Sequence, residues 1–556
     1  MTILKQPLSK LRAKSVSGPR MLIVVASVAT ILITLVEMFR GALTVGMNWD
    51  APTHTEAFDE WQTGKWAPNS KFGLDSFYPA FTYGFSFQYL SFIANALRGN
   101  EQSSSPEAYA VRNLTLVALF LLSCAAVYFI SYLLFRNNTF AVLAVGIACA
   151  LPTFVGHAFM NPIDVPPAVG YTLVTCSLCT SAIGLRSNRH FKSLGAQANL
   201  VGLISFFSAL VGTWLAVGTR FAFWLPLLLL ISVFSLANYL LIKSNRLRDP
   251  SYVWAAPPVG FFAGLLAVAA LHPHYTSRLK DWLSSAVLTS GGFPYPGGTL
   301  TNGQTLPAQE LPSLYLPLWT AASIPLGLLV FFWIGLLNWI IEVAARRELS
   351  AEVLARAAVV GQALMVGLVS IAIDAPMYNA QRHHLYLYPA LAVIGAAGAR
   401  AVYMKADKGS GASRRMRSYL VAGFVAVSLI YPTIERQRLF PYEYTYLNEL
   451  ATINGVNGRW ETDYWATSFR EALTRVPLGA ELKAIGPQDT FYTYPHLQGT
   501  DVRTNEVAGP GEYWQIQITN GGMKLPENCR DVDSVTRNFR GGDVVMSWVG
   551  ICTGKP

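Results

Sequence analysis

About eleven apolar stretches of near-membrane length run through this chain, and the charges left between them are sorted by kind. Lys and Arg gather in every second connection, whereas Trp49-Asp50, Asn161-Pro162-Ile163-Asp164 and Arg382-His383-His384 occupy the alternate ones. A bilayer core about 30 Å thick takes about 20 apolar residues per helix. The stretches are roughly 21–40, 113–135, 139–157, 166–185, 198–217, 221–242, 252–271, 314–343, 355–374, 384–403 and 417–434. The third and last are short, and the eighth is long enough to tilt. Charged residues make up 13% of the chain, about half the share usual in a soluble protein, and 52% of it is apolar. Both values point to a polytopic α-helical membrane protein with about 11 transmembrane helices.

Orientation follows from the basic connections. They hold Lys5, Lys10, Arg12, Lys14 and Arg20; Arg136; Arg186, Arg189 and Lys192; Lys243, Arg246 and Arg248; Arg346 and Arg347; and Lys405, Lys408, Arg414, Arg415 and Arg417. This pattern predicts a multi-pass protein of the plasma (inner) membrane with a cytoplasmic N-terminus. An odd number of spans then carries the C-terminal tail outside. The net charge of +10 is largely this topogenic set, so it calls for no nucleic acid. The first stretch reads as a retained span, because Glu37 to Gly46 offers no small-x-small cleavage site.

The expected division is a membrane module over 1–434 and an extracytoplasmic α+β domain over 435–556. Two outside loops, 41–112 and 272–313, are too long to be simple connectors. The first contains an amphipathic helix over 85–97; the second contains another over 275–288 and a Gly/Pro-rich segment, 291–298. In the tail, Tyr513 to Thr519 and Asp543 to Val549 alternate as strands do, and Glu461 to Val476 reads as one helix. Cys124, Cys149, Cys176 and Cys179 fall inside spans as small apolar residues. Cys529 and Cys552 fall in the outside tail, where oxidation is favoured, and are expected to pair.

Three places on the outside face carry groups capable of chemistry. Asp50 follows the first span, flanked by Trp49 and Pro52, with His54, Glu56, Asp59 and Glu60 close behind. An acid partly desolvated at the membrane surface suits a general base, although an ordinary loop acid would look the same. Asp164, among Asn161 and several prolines, could equally cap a helix. Arg382, beside His383 and close to Tyr378, could grip a phosphate with its fixed fork of donors or simply snorkel from a helix end. There is no P-loop, dinucleotide fingerprint, HExxH or GxSxG.

Taken in order, the first-loop acid, Asn161-Pro-Ile-Asp164-Val-Pro, Leu311-Pro-Ser-Leu-Tyr-Leu-Pro317, Arg382-His383, Phe440-Pro-Tyr-Glu-Tyr-Thr-Tyr-Leu-Asn448 and Asp463-Tyr-Trp465 resemble bacterial members of the protein-O-mannosyltransferase superfamily. These are membrane-embedded GT-C glycosyltransferases, and the resemblance covers roughly 45–470. It implies transfer of a sugar from a polyprenyl-phosphate donor to a glycan, lipid or protein acceptor outside the cytoplasm, usually with inversion. Asp50 matches the family's base and Asp164 its second motif acid. Arg382, His383, His54, Asn161 and Tyr378 are the residues expected around the donor phosphate. Ile163 stands where the family usually has Lys, and Ala51 where many members have a second acid. No cofactor is fixed by these residues, and a divalent cation stays open. Nucleotide sugars are absent outside, so a donor there must arrive on a lipid. The alternatives are a transporter or flippase of a lipid-linked sugar and a non-catalytic scaffold. A transporter usually shows repeats and mid-span charges, which the sequence lacks.

Overall fold

The computed structural model describes residues 18–65, 83–100, 105–187, 195–243, 251–272, 278–284, 297–346, 349–477, 480–485, 508–519, 522–540 and 542–554, with single positions at 287, 293 and 295. Among them, ten helices are long and apolar enough to cross a membrane. Labelled in chain order with the shorter helices, the elements are α1 (Gly18–Thr44), α2 (Ala51–Gln62), α3 (Ser86–Arg98), α4 (Pro106–Phe135), α5 (Asn138–Ala150), α6 (Pro152–His157), α7 (Val165–Ser187) and α8 (Gly195–Thr219). There follow α9 (Trp224–Lys243), α10 (Ser251–Leu271), α11 (Tyr315–Ser323), α12 (Leu326–Arg346), α13 (Ala351–Ala372), α14 (Leu387–Ala406), α15 (Gly411–Leu439) and α16 (Phe469–Leu473).

Two expected spans are each broken in two. The third becomes α5 and α6, parted at Leu151 just before Pro152; the eighth becomes α11 and α12, parted at Ile324 just before Pro325. The reason is local: a residue preceding proline is pushed out of the helical region, and both Leu151 (ψ 101°) and Ile324 (ψ 129°) are extended. Helix starts follow their caps. Ser105 accepts the Ala108 N–H at 3.1 Å ahead of Pro106, and Ser350 accepts that of Val353 at 3.3 Å. The amphipathic helix expected over 85–97 is α3, whose Phe92, Ile93 and Leu97 face outward. Of the 275–288 stretch, 278–284 is helical, while half of 291–298 lies outside the described residues, as do Lys5, Lys10, Arg12, Lys14, Arg189, Lys192, Arg246, Arg248 and Arg347.

The bundle has two chemically distinct ends. At one, Arg20 at the start of α1 pairs with Asp407 after α14 (3.6 Å), and Asp407 also holds Arg414 of α15 (2.9 Å). At the other, α1 ends beside the segment that opens α14. Near that second end, Arg436 of α15 reaches Glu37 and Thr34 of α1, each at 2.6 Å, and the Cys149 carbonyl of α5. This ties two spans and the shorter α5 together in a buried interior. Close helix contact elsewhere relies on small residues: a side chain at Gly170 of α7 would strike the backbone of Gly212 on α8.

The loop before α11 forms a hairpin the sequence reading did not foresee, β1 (Gly298–Thr301) with β2 (Gln304–Pro307). Its Asn302-Gly303 turn has the positive φ values (49° and 84°) that Asn-Gly hairpins use. The tail forms a four-stranded sheet, β3 (Leu482–Ile485), β4 (Glu512–Ile518), β5 (Cys529–Phe539) and β6 (Gly542–Thr553), in the order β3-β4-β6-β5. Both expected strands are there, and Cys529 and Cys552, directly opposite each other on β5 and β6, are disulfide-bonded.

The helix expected over Glu461 to Val476 shrinks to α16. Asp463 accepts the backbone N–H groups of Thr467 and Ser468 (3.0 Å each), and Ala466 is left-handed at φ 57°, so the chain turns instead of coiling. The expected module boundary at 434/435 falls within α15. Residues 440–476 pack into the site end of the bundle: Asn448 donates to the Ile324 carbonyl freed at the α11–α12 break (2.9 Å), and Arg470 donates to Leu43 and Val45 at the end of α1.

Candidate active site at the acidic end of the bundle

Asp50 leaves α1 in a turn shaped by Asn48, whose Oδ1 accepts the N–H groups of Asp50 (3.1 Å) and Ala51 (2.8 Å). The Asn48 amide also donates to the Met160 carbonyl, drawing this turn against the segment that carries Asp164. There Asn161 repeats the device. Its Oδ1 accepts from the N–H groups of Ile163 and Asp164, while Nδ2 donates to Asp164 Oδ2 at 2.9 Å and lies 3.0 Å from His157 Nδ1. Asn161 is fully buried and behind Asp164, so it positions that acid.

Arg382 opens a short 3₁₀ turn (Arg382–His384) just ahead of α14. Asn379 and Ala380 before it are left-handed (φ 54° and 58°). That loop is held by Glu461 from the tail, whose Oε2 accepts the Ala380 N–H at 2.9 Å and whose Oε1 accepts the Leu300 N–H of the hairpin at 3.4 Å. Arg382 Nη1 donates to Asp50 Oδ2 at 3.2 Å, and its Nε donates to His383 Nε2 at 3.1 Å. The guanidinium lies 4.4 Å from the Trp465 ring centre and 4.9 Å from that of Tyr378. Tyr378 in turn stacks flat on Tyr295 with centres 3.8 Å apart.

Arg220 completes the group. It stands alone between α8 and α9 and donates through Nη1 to Asp164 Oδ1. Two arginines thus face two aspartates, and the two acids differ. The Asp50 side chain is 38% exposed and that of Asp164 only 2%. Asp50 is thus partly covered yet open to an incoming molecule, and Asp164 is the buried counter-ion.

The surrounding titrations suit anion binding. Burial works against the Arg382 charge, but Tyr378, Asp50 and Asp164 outweigh it and hold its pKa above the ordinary value; Arg220 is held up the same way, chiefly by Asp164. Burial pushes His54 down to about 4, helped by Arg112, Arg220 and Arg382 and opposed by Asp50. His383 is driven well down by burial and by the two arginines. Both imidazoles are neutral at neutral pH, and His383 steadies Arg382 as an acceptor. His54 packs edge-on against Tyr83 at 4.9 Å, and Arg220 lies 5.8 Å from that same ring.

A cavity of about 320 Å³ opens beside this cluster. Arg220, Tyr83, Tyr378 and His383 form its polar head, and Pro226 of α9, Val366 and Val369 of α13 and Ile373 just past α13 are among its apolar walls. Among the described residues, no three of His, Cys, Asp and Glu lie together as a metal site needs. Each aspartate is already matched by an arginine.

The structure brings Asp50, Asp164, Arg382, His383, His54 and Tyr378 together, with Asn161 behind Asp164. Arg220, Glu461 and Trp465 were missed. Arg220 had a signal: it is a lone base in a short connection of the non-basic set. Glu461 and Trp465 had none beyond the tail motif, because they arrive from about 80 residues downstream of Arg382.

No family model matches the chain, and no curated protein matches it. Among solved structures, it is similar to the Archaeoglobus fulgidus oligosaccharyltransferase tethered with an acceptor peptide, at 15% identity and a TM-score of 0.48, covering 88% of this chain and 60% of that one. It is also similar to ArnT from Cupriavidus metallidurans bound to undecaprenyl phosphate, at 10% identity and a TM-score of 0.47, covering 95% and 99%. The chain spans about three fifths of the archaeal enzyme's length.

Proposed function

We propose that this protein is a polyprenyl-phosphate-dependent glycosyltransferase acting at the acidic end of its bundle, on the extracytoplasmic side of the plasma membrane. The observation that carries the reading is the convergence of a partly exposed carboxylate, Asp50, with two arginines, Arg382 buried against Asp50 and Arg220 at the polar head of an apolar cavity beside it. Arg382 and Arg220 would take the donor phosphate in their forks, and the apolar walls would take the first isoprene units. A phosphate that draws Arg382 to itself frees the Asp50 carboxylate. The acceptor hydroxyl then attacks the anomeric carbon from the face opposite the phosphate. Its oxygen forms the new glycosidic bond, its proton passes to Asp50, and the bond from the anomeric carbon to the phosphate oxygen breaks. The electron pair leaves with the polyprenyl phosphate, whose charge the two arginines stabilise. One inversion results. Asp164 and His383 position the two arginines.

Mass spectrometry of envelope glycans, glycolipids and glycoproteins tests the reading. A strain lacking this chain should lose a sugar from one class of molecule, and the wild-type gene but not an Asp50→Asn copy should restore it. An unchanged envelope would overturn the proposal.

A further inference from the structure

A second cavity, of about 200 Å³, lies at the opposite, basic end of the bundle, among the ends of α4, α12 and α14 and the start of α13. Arg356, Arg400, Lys405 and Lys408 line it, with Glu342 as its one acid. Arg356 is committed to Glu342, which also accepts from Asn338 at 2.7 Å. That leaves the cavity with a surplus of three positive charges, four cations against one carboxylate. Among the described residues, Arg400, Lys405 and Lys408 make no ion pair. Arg400 lies instead 5.9 Å from the Phe135 ring centre, and Arg356 lies 5.7 Å from that of Trp339. Four cations with a single carboxylate among them, two of the cations held against aromatic faces, give the recess a net positive charge that suits an anion.

The recess sits between spans, which decides the kind of anion. Phe135, Leu134, Ala397 and Met404 give it apolar walls. On α12 next to it, Leu337, Ile340 and Ile341 are more than half exposed, as residues facing acyl chains are. We propose that this cavity binds the phosphate headgroup of an anionic membrane phospholipid, with the headgroup between Arg400 and the two lysines and its chains along the outer face of α12. Basic pockets between spans at the membrane surface are suited to such headgroups. The site is separate from the Asp50 cluster: Arg382 precedes α14, whose first residue is Leu387, and Arg400 lies 13 residues further on, about 20 Å along the helix at 1.5 Å per residue.

The full-length protein, purified in detergent and equilibrated with equal phosphatidylglycerol and phosphatidylcholine, reports the outcome by native mass spectrometry. Wild type should retain phosphatidylglycerol preferentially. Arg400→Gln and Lys405→Gln should each weaken that retention about fivefold, and Glu342→Gln, which removes the opposing charge, should strengthen it. The Glu342→Gln gain keeps the idea testable if a loss variant fails to fold. Equal retention of the two lipids, or unchanged retention in all three variants, would overturn the proposal. A melting temperature raised as much by inorganic phosphate alone as by phosphatidylglycerol would assign the cavity to a soluble phosphate and overturn it too.

Discussion

Arg382 is the residue on which the site turns, because it alone touches the carboxylate, two aromatic faces and an imidazole. Arg382→Ala should lower the donor-dependent rate by about 10²–10³-fold, the cost typical of removing a group that stabilises developing charge. Arg382→Lys should recover only part of it, since a lysine keeps the charge but loses the planar fork and its fit over Trp465. Donor titrations with unchanged rate and affinity in both variants would remove Arg382 from the site. His54 makes a separate prediction about pH. Its folded pKa of about 4 lies below the ordinary 6.5, so it favours the fold fully above pH 6.5, and that contribution is lost as pH falls towards 4. At pH 5 the loss is about 2 kcal/mol. Glu461, pushed up to about 7 by burial, runs the other way: its contribution is present below about pH 4.5 and lost as pH rises through 7. On going from pH 7 to pH 5, the melting temperature should shift less favourably in wild type than in His54→Gln, whatever the sign of the wild-type shift; equal shifts would contradict the assignment.

At the scale of elements, the breaks matter more than the spans. Hydropathy runs smoothly across Pro152 and Pro325, so the sequence reads two continuous helices where the chain makes four. The prolines were visible; their effect was not, because a proline in a span bends or breaks it according to what can satisfy the freed carbonyls. Here those partners come from elsewhere in the chain: Asn448 at Ile324, and Arg436 with Thr34 at Cys149. The same long reach explains why Glu461 and Trp465 escaped notice, whereas Asp50, Asp164 and Arg382, each adjacent to a span, could be placed on one side from charge pattern alone. Arg436 carries the sharpest prediction at this scale. It is fully buried with Glu37, so Arg436→Leu would strand an uncompensated carboxylate between α1 and α15. The expected loss is about 3–5 kcal/mol, read as a fall in melting temperature and in yield of folded protein. The double variant Glu37→Leu with Arg436→Leu should recover much of it; a double variant as unstable as the single would contradict this account.

Across the whole molecule, the two ends divide the work. Basic residues and the second cavity occupy one, and the acids, the arginine pair and the tail occupy the other. The tail does not hang free: residues 440–476 brace the site, and the disulfide-closed sheet is tied to them and to α15 through Arg537 with Glu471 (2.6 Å), Asp533 with Arg475 (2.8 Å) and Arg540 with Glu435 (2.8 Å). Replacing Cys529 and Cys552 with Ser should destabilise that sheet by about 3 kcal/mol in the chain-entropy view of a 23-residue separation, read as a fall in melting temperature, while leaving transfer largely intact. Loss of transfer with an unchanged melting temperature would show that the sheet itself enters the chemistry. The central claim, that Asp50 accepts the acceptor's proton while the arginines hold the donor, is met most directly by Asp50→Asn in proteoliposomes supplied with a polyprenyl-phosphate sugar. The account predicts transfer reduced about 10²–10⁴-fold with donor binding and melting temperature preserved; a variant that transfers sugar at the wild-type rate would contradict it.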